Sequence, residues 1–132
     1  MTGEQGRPAP TTRVVHASEV PAVPLGDAGT QRVLLGAPHA DGSPLLMGIS
    51  RVLPGRTSAL IEHDSAEIAY VLSGTGWMVT DTSEHPFEPG DAILIDEGCW
   101  HAIRAGEEPV EMVYVFPSSA APATRAHPKA VQ

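Results

Sequence analysis

The 132-residue sequence predicts an all-β fold, a small barrel of short antiparallel strands in one domain. Three observations carry this reading. No segment sustains the 3.6-residue apolar period of an amphipathic helix. Short apolar runs recur roughly every ten residues, the spacing of sheet strands separated by turns. Between the runs stand Pro54-Gly55, Ser73-Gly74-Thr75-Gly76, Pro89-Gly90-Asp91 and Glu97-Gly98, combinations that fix φ or tolerate φ above zero.

The elements follow in order. Residues 1–12 are polar with two prolines and are expected to form a flexible N-terminal tail. Arg32–Leu35 is the first candidate strand and Leu45–Leu53 the second, stopped by Pro54-Gly55. Ser58–His63 and Ile68–Leu72 flank the corner Asp64-Ser65-Ala66. Gly76–Thr80 follows the glycine-rich turn, Ala92–Ile95 follows Pro89-Gly90-Asp91, and His101–Ala105 follows Gly98. Val110–Phe116 is the last, so the barrel is expected to span 13–116. Short connections predict that strands adjacent in sequence pair antiparallel. Residues 117–132 are rich in Ala and Pro without a period and are expected to form a flexible C-terminal tail.

Composition narrows the function classes. Sixteen acidic against eight basic residues give a net charge of −8, and no cluster of Lys or Arg is long enough to follow a phosphate backbone. Nucleic acid is not expected as a partner. No run approaches the ~18 apolar residues of a membrane helix, and the first residues lack an apolar core flanked by positive charge. No membrane association and no leader are expected. The single cysteine, Cys99, permits no intramolecular disulfide, which points to a reducing, cytoplasmic setting.

Alternation along Ser58–His63 places Ala59, Ile61 and His63 on one face and Ser58, Leu60 and Glu62 on the other. His63 thus shares an otherwise apolar face. Glu67 follows the corner and begins the next strand, where it returns a carboxylate beside His63, and His101 opens a later strand. These three residues are expected to converge on one interior site.

The spacing of these residues resembles the two motifs of the cupin superfamily. The first motif is Gly, five residues, His-x-His, three or four residues, Glu, six residues, Gly. Here Gly55, Ile61-Glu62-His63, Glu67 and Gly74 keep every spacing, with Ile61 in place of the first His. The second motif is Gly, five residues, Pro-x-Gly, two residues, His, three residues, Asn. Here Gly90, Asp96-Glu97-Gly98, His101 and Ala105 match, with Asp96 for the Pro and Ala105 for the Asn. The resemblance implies a single-domain jelly-roll barrel, also called a double-stranded β-helix. It also implies that His63, Glu67 and His101 bind a divalent metal. Two imidazoles and a carboxylate suit catalytic Zn(II) with bound water, or Fe(II) with open positions. Cupins commonly dimerise through sheet edges, so a homodimer is expected.

The leading expectation is a metal-dependent cupin enzyme acting on a small organic molecule in specialised metabolism, by cyclase, isomerase, lyase or oxygenase chemistry. The rival is a non-catalytic cupin that binds or senses a small molecule. A third expectation is that the site has lost its metal, and that His63 and Glu67 hydrogen-bond one another. Ile61, Cys99 and Tyr114 are candidate pocket residues. Trp77, Trp100 and Tyr114 are expected in core packing, with the pocket or the outer sheet as alternatives, and Arg51, Arg56 and Arg104 on solvated faces. His16, His39, His85 and His127 are expected in exposed loops or tails, with His85 the one candidate replacement ligand among them.

Overall fold

The computed structural model describes residues 9–37, 42–118 and 120–128; His39 lies outside them. Among the described residues the architecture is two antiparallel sheets with no α-helix. A short 3₁₀ turn, Ala17–Glu19, precedes eleven strands: β1 (Val23–Leu25), β2 (Gly29–Leu35), β3 (Leu46–Val52), β4 (Ile61–His63), β5 (Glu67–Ser73), β6 (Gly76–Thr80), β7 (Glu84–Phe87), β8 (Ala92–Ile95), β9 (His101–Ala105), β10 (Val110–Phe116) and β11 (Thr124–Ala126). One sheet runs β1-β2-β3-β10-β5-β8 and the other β11-β4-β9-β6-β7.

The all-β jelly-roll expectation holds, and most predicted strands appear within a residue or two of their expected bounds. Pairing of sequence neighbours is confined to β1–β2, β2–β3 and β6–β7. Elsewhere short corners pass the chain between sheets: β5 pairs with β10 and β8, while β6 pairs with β9 and β7. The corner at Gly74 shows why. Its φ is +81°, and a Cβ there would lie 2.2 Å from the Pro109 carbonyl oxygen, so only glycine turns the chain this sharply against β10.

Three strands were not expected: β1, β7 and β11. The last corrects the reading of 117–132 as a tail, since Thr124, Arg125 and Ala126 pair with His63, Glu62 and Ile61. The strand has no apolar alternation to announce it; it is held by backbone hydrogen bonds at the open edge of β4. The Asp64 amide donates to the Ala123 carbonyl at 3.0 Å and the His127 amide to Leu60 at 2.9 Å. Residues 9–12 carry no regular structure.

Alternation decides what faces inward. On β10, Val110, Met112, Tyr114 and Phe116 are buried; on β3, Leu46, Ser50 and Val52 are buried, with Gly48 between them in the same alternation. Leu46, Val52, Val71 and Val110 are fully buried, each contributing roughly 1.5–3 kcal/mol of apolar burial. On β5 the inward positions are Glu67, Ala69 and Val71, while Ile68, Tyr70 and Leu72 face outward. A carboxylate therefore points into the barrel, and large apolar groups stand on its surface.

Candidate metal centre

The barrel interior holds a cavity of about 520 Å³, within the usual range for small-ligand sites. Apolar side chains such as Val33, Met78, Ile95, Ile103 and Met112 form most of its wall. His63 and Glu67 enter from either side of the corner at 64–66, and His101 enters as the first residue of β9. The Gly98 amide donates to the His63 carbonyl at 2.9 Å, so the turn that precedes His101 is tied to the strand end that carries His63.

The three side chains are only 11, 10 and 8 % exposed. His63 Nε2 lies 3.3 Å and His101 Nε2 3.6 Å from Glu67 Oε1. The two imidazole rings are 5.0 Å apart at 57°, and the Phe116 ring meets His63 edge-on at 5.1 Å. One donor atom from each of the three lies within 4.8 Å of the others.

Each ring engages a partner through its outer nitrogen. His101 Nδ1 is 2.9 Å from the Cys99 carbonyl, which can only accept, so Nδ1 carries the proton. His63 Nδ1 is 2.8 Å from the Thr124 hydroxyl, which also lies 3.2 Å from the Pro122 carbonyl. Both imidazoles are engaged at Nδ1, which leaves both Nε2 atoms turned toward Glu67 Oε1, that of His101 as a lone-pair donor in the neutral form. Burial holds His101 below the ordinary histidine range, against the raising effects of the Cys99 carbonyl and Glu67, with His63 adding to the depression.

Glu67 Oε1 is buried and receives no hydrogen bond, although an imidazole stands 3.3 Å away. The direct His63–Glu67 hydrogen bond of the metal-free alternative is not formed among the described residues. Two imidazole nitrogens and an orphan carboxylate oxygen around one point make a donor set that a divalent cation satisfies. The residues present fit such an ion.

The pocket candidates separate. Ile61 and Tyr114 line the cavity, whereas Cys99 is not part of its wall and packs partly buried against the hydrophobic core. Burial, then Asp81 and Asp96, pushes its thiol up, the opposite of a reactive thiolate. Trp77 and Trp100 also depart from the core expectation: Trp77 lies on the surface under the Arg104 guanidinium at 4.7 Å, and Trp100 meets His127 edge-on at 4.7 Å. Arg51, Arg56 and Arg104 lie outside the cavity wall and pair with Glu111, Asp27 and Glu84. His85 is on β7, exposed and bonded to Ser83, away from the triad.

Two contributors escaped the sequence reading. Gln31 lines the cavity and accepts the Tyr114 hydroxyl at 3.0 Å. The Tyr114 ring crosses β3 over Gly48, where a Cβ would come within 2.3 Å of the phenol, so a glycine is required for the reach to β2. Thr124 is the other, with Ala121 and Pro122 beside it in the wall.

Fold and site together define a small jelly-roll barrel with an interior two-histidine, one-carboxylate centre. The chain belongs to the cupin family: the cupin domain family matches residues 48–116. Among solved structures it is similar to the polyketide cyclase RemF from Streptomyces resistomycificus (24% identity, TM-score 0.75, covering 88% of this chain and 85% of that one). It is also similar to Rru_A2000 from Rhodospirillum rubrum, a cupin-2 domain (18%, TM-score 0.74, 92% and 85%). A third likeness is to Bacillus subtilis oxalate decarboxylase OxdC (18%, TM-score 0.72), where the match covers 83% of this chain but 30% of that one. No curated protein matches the chain by sequence. Among the described residues no helix is long and apolar enough to cross a membrane.

Proposed function

We propose that this chain is a metal-dependent cupin enzyme acting on a small organic molecule, with His63, Glu67 and His101 holding one divalent ion, Zn(II) or Fe(II). The observation that carries the proposal is Glu67 Oε1, buried without a hydrogen-bond partner among the described residues, between two Nε2 atoms whose rings both engage a partner through Nδ1. The likeness to a polyketide cyclase, and to an oxalate decarboxylase described with Mn(II) centres, supports the reading.

When bound, the ion would supply Lewis acidity toward a substrate oxygen or, as iron, a place for dioxygen. This chain's own residues do the rest. The apolar wall selects a substrate with an apolar body and excludes water from it. Tyr114, pushed up to about 12 by burial and by Glu67, keeps its proton and stands as a fixed hydroxyl beside the site. Ile61 closes the side where the family pattern has a histidine, leaving room for a substrate oxygen. Cyclisation, isomerisation, lyase and oxygenase chemistry all fit this arrangement, in a specialised pathway and a cytoplasmic setting.

We further propose a homodimer through the outer face of β5 and β8. Ile68, Tyr70, Leu72 and Leu94 are 56, 49, 46 and 68 % exposed there, a group of large apolar side chains of the kind that marks a protein–protein contact.

The test of the enzyme reading is elemental analysis of untagged protein, followed by a turnover screen of small carbonyl and phenol compounds before and after chelation. One ion per chain and chelator-sensitive turnover are expected. Metal-free protein that binds compounds without converting them would leave the binding-module alternative.

A further inference from the structure

We propose that Thr124 is a positioning residue for His63: its hydroxyl, delivered by strand β11, holds His63 in the Nδ1–H tautomer and keeps Nε2 turned toward Glu67 and His101. The inference extends the metal-centre reading and rests on His63 being a ligand.

The two histidines are oriented by different means. His101 is held by the backbone carbonyl of Cys99, two residues away on the same segment. His63 is held by a side chain sixty-one residues distant in sequence. Thr124 and His63 are direct cross-strand partners, so the ladder of β11 on β4 places the hydroxyl at the height of the ring. The polarity of the contact is set one step further out. Because the hydroxyl's single proton goes to the Pro122 carbonyl, its oxygen can only accept from Nδ1. Pro122 has a restricted φ, and threonine is branched at Cβ, so both partners of the relay are stiff.

The strand that carries Thr124 is clamped from its other face. Arg125 points away from the cavity and makes a two-pronged ion pair with Glu62, through Nε at 2.6 Å and through its terminal guanidinium nitrogen. Glu62 is buried at 8 % exposure, so the clamp closes on a fixed carboxylate. Thr124 lies on the opposite side of the strand from Arg125, exposed itself, and with Ala121 and Pro122 lines the cavity. The same short segment thus walls the pocket and orients a ligand. Loss of the Thr124 oxygen leaves a half-buried Nδ1–H without a partner, and the ring is then free to move its proton to Nε2, the atom that must donate a lone pair.

The experiment compares wild type, Thr124→Val and Thr124→Ser as full chains. Zn(II) affinity is measured by competition with a chromophoric chelator. Imidazole ¹⁵N spectra of the metal-free proteins, recorded at a pH where the histidines are neutral, report the tautomer directly. Thr124→Val is expected to bind Zn(II) about 10–100-fold more weakly, the usual loss for a group behind a ligand. It is also expected to show His63 Nε2 partly protonated. Thr124→Ser, which keeps the oxygen, should stay within about threefold of wild type, far inside that outer-shell loss. Wild-type affinity in Thr124→Val, or an equal loss in Thr124→Ser, overturns the proposal. A wild-type spectrum with His63 protonated at Nε2 overturns it whatever the variants do, including if Thr124→Val does not fold. If wild type binds no Zn(II), the metal reading alone fails, and the tautomer comparison still decides Thr124.

Discussion

Ile61 is the cross-strand partner of His101, and both side chains line the cavity that receives Glu67. It also precedes His63 by two residues on the same strand, so position 61 borders the metal centre from β4. Replacing Ile61 with histidine is therefore expected to add a fourth donor. Zn(II) should bind at least about tenfold more tightly, since one further ligand gives more than the outer-shell effects of 10–100-fold can take away. Turnover, or binding of the small molecule, should fall because the added imidazole fills the open position. Isothermal titration with Zn(II) and a parallel activity assay check both halves; a rise in both would mean that Ile61 is not part of the working site.

Single removals of the triad should abolish binding. His63→Ala, Glu67→Gln and His101→Ala are each expected to weaken Zn(II) by more than the roughly 100-fold ceiling of outer-shell changes, while His85→Ala leaves it unchanged. Metal in about hundredfold excess over its dissociation constant should stabilise wild type by about 2.7 kcal/mol and the three variants scarcely at all. Differential scanning calorimetry with and without Zn(II) gives the comparison.

Alkaline titration should single out Tyr114. Its phenol stays protonated to about 12 in the folded chain, against an ordinary value of 10.0. Between these values the unfolded chain has lost the proton and the folded one has not. Stability is then fully present below pH 10 and falls as pH rises toward 12, by roughly 2–3 kcal/mol in all. Tyr114→Phe should remove most of that slope, at a cost near neutrality of about 1 kcal/mol for the unpaired Gln31 amide oxygen. Urea denaturation at several alkaline pH values measures it; an unchanged slope in Tyr114→Phe would place the titration elsewhere.

Deletion of residues 121–132 tests β11 as a structural strand. It removes one of the two strands paired with β4 and leaves the buried Glu62 carboxylate without Arg125. Because the Arg125 side chain is 73 % exposed, its solvent screening keeps the expected loss modest, roughly 1–3 kcal/mol, or several degrees in Tm. Truncated protein that melts with wild type would show that the ladder adds nothing.

For the proposed dimer, Leu94→Glu is the informative change, since Leu94 is the most exposed large residue of the β5–β8 face. Wild type is expected to run as a dimer by light scattering with a concentration-dependent Tm, and the variant as a folded monomer with a lower Tm that no longer depends on concentration, because the contact is lost while the barrel core is untouched. A monomeric wild type refutes the assignment.

Much of the barrel is legible in the sequence because it is local. Alternation along Val110–Phe116 and Leu46–Val52, and turn residues at Pro54-Gly55 and Pro89-Gly90, act over a few residues and leave a pattern that can be read. The same locality brings His63 and Glu67 to either side of one corner, and the spacing to His101 carries the third member. What the sequence does not contain is the choice of partner for each strand. Gly74-Thr75 looks like a hairpin turn, yet the tight approach to Pro109 sends the two strands into different sheets. Cys99 sits two residues from His101, yet its thiol packs against the core. Thr124 is the clearest case. Strand addition at the edge of β4 works through main-chain amides and carbonyls that every residue possesses, so an Ala- and Pro-rich segment carries no side-chain signature of it. The partner of His63 Nδ1 was therefore decided by the tertiary structure alone, through a backbone ladder to which composition is blind.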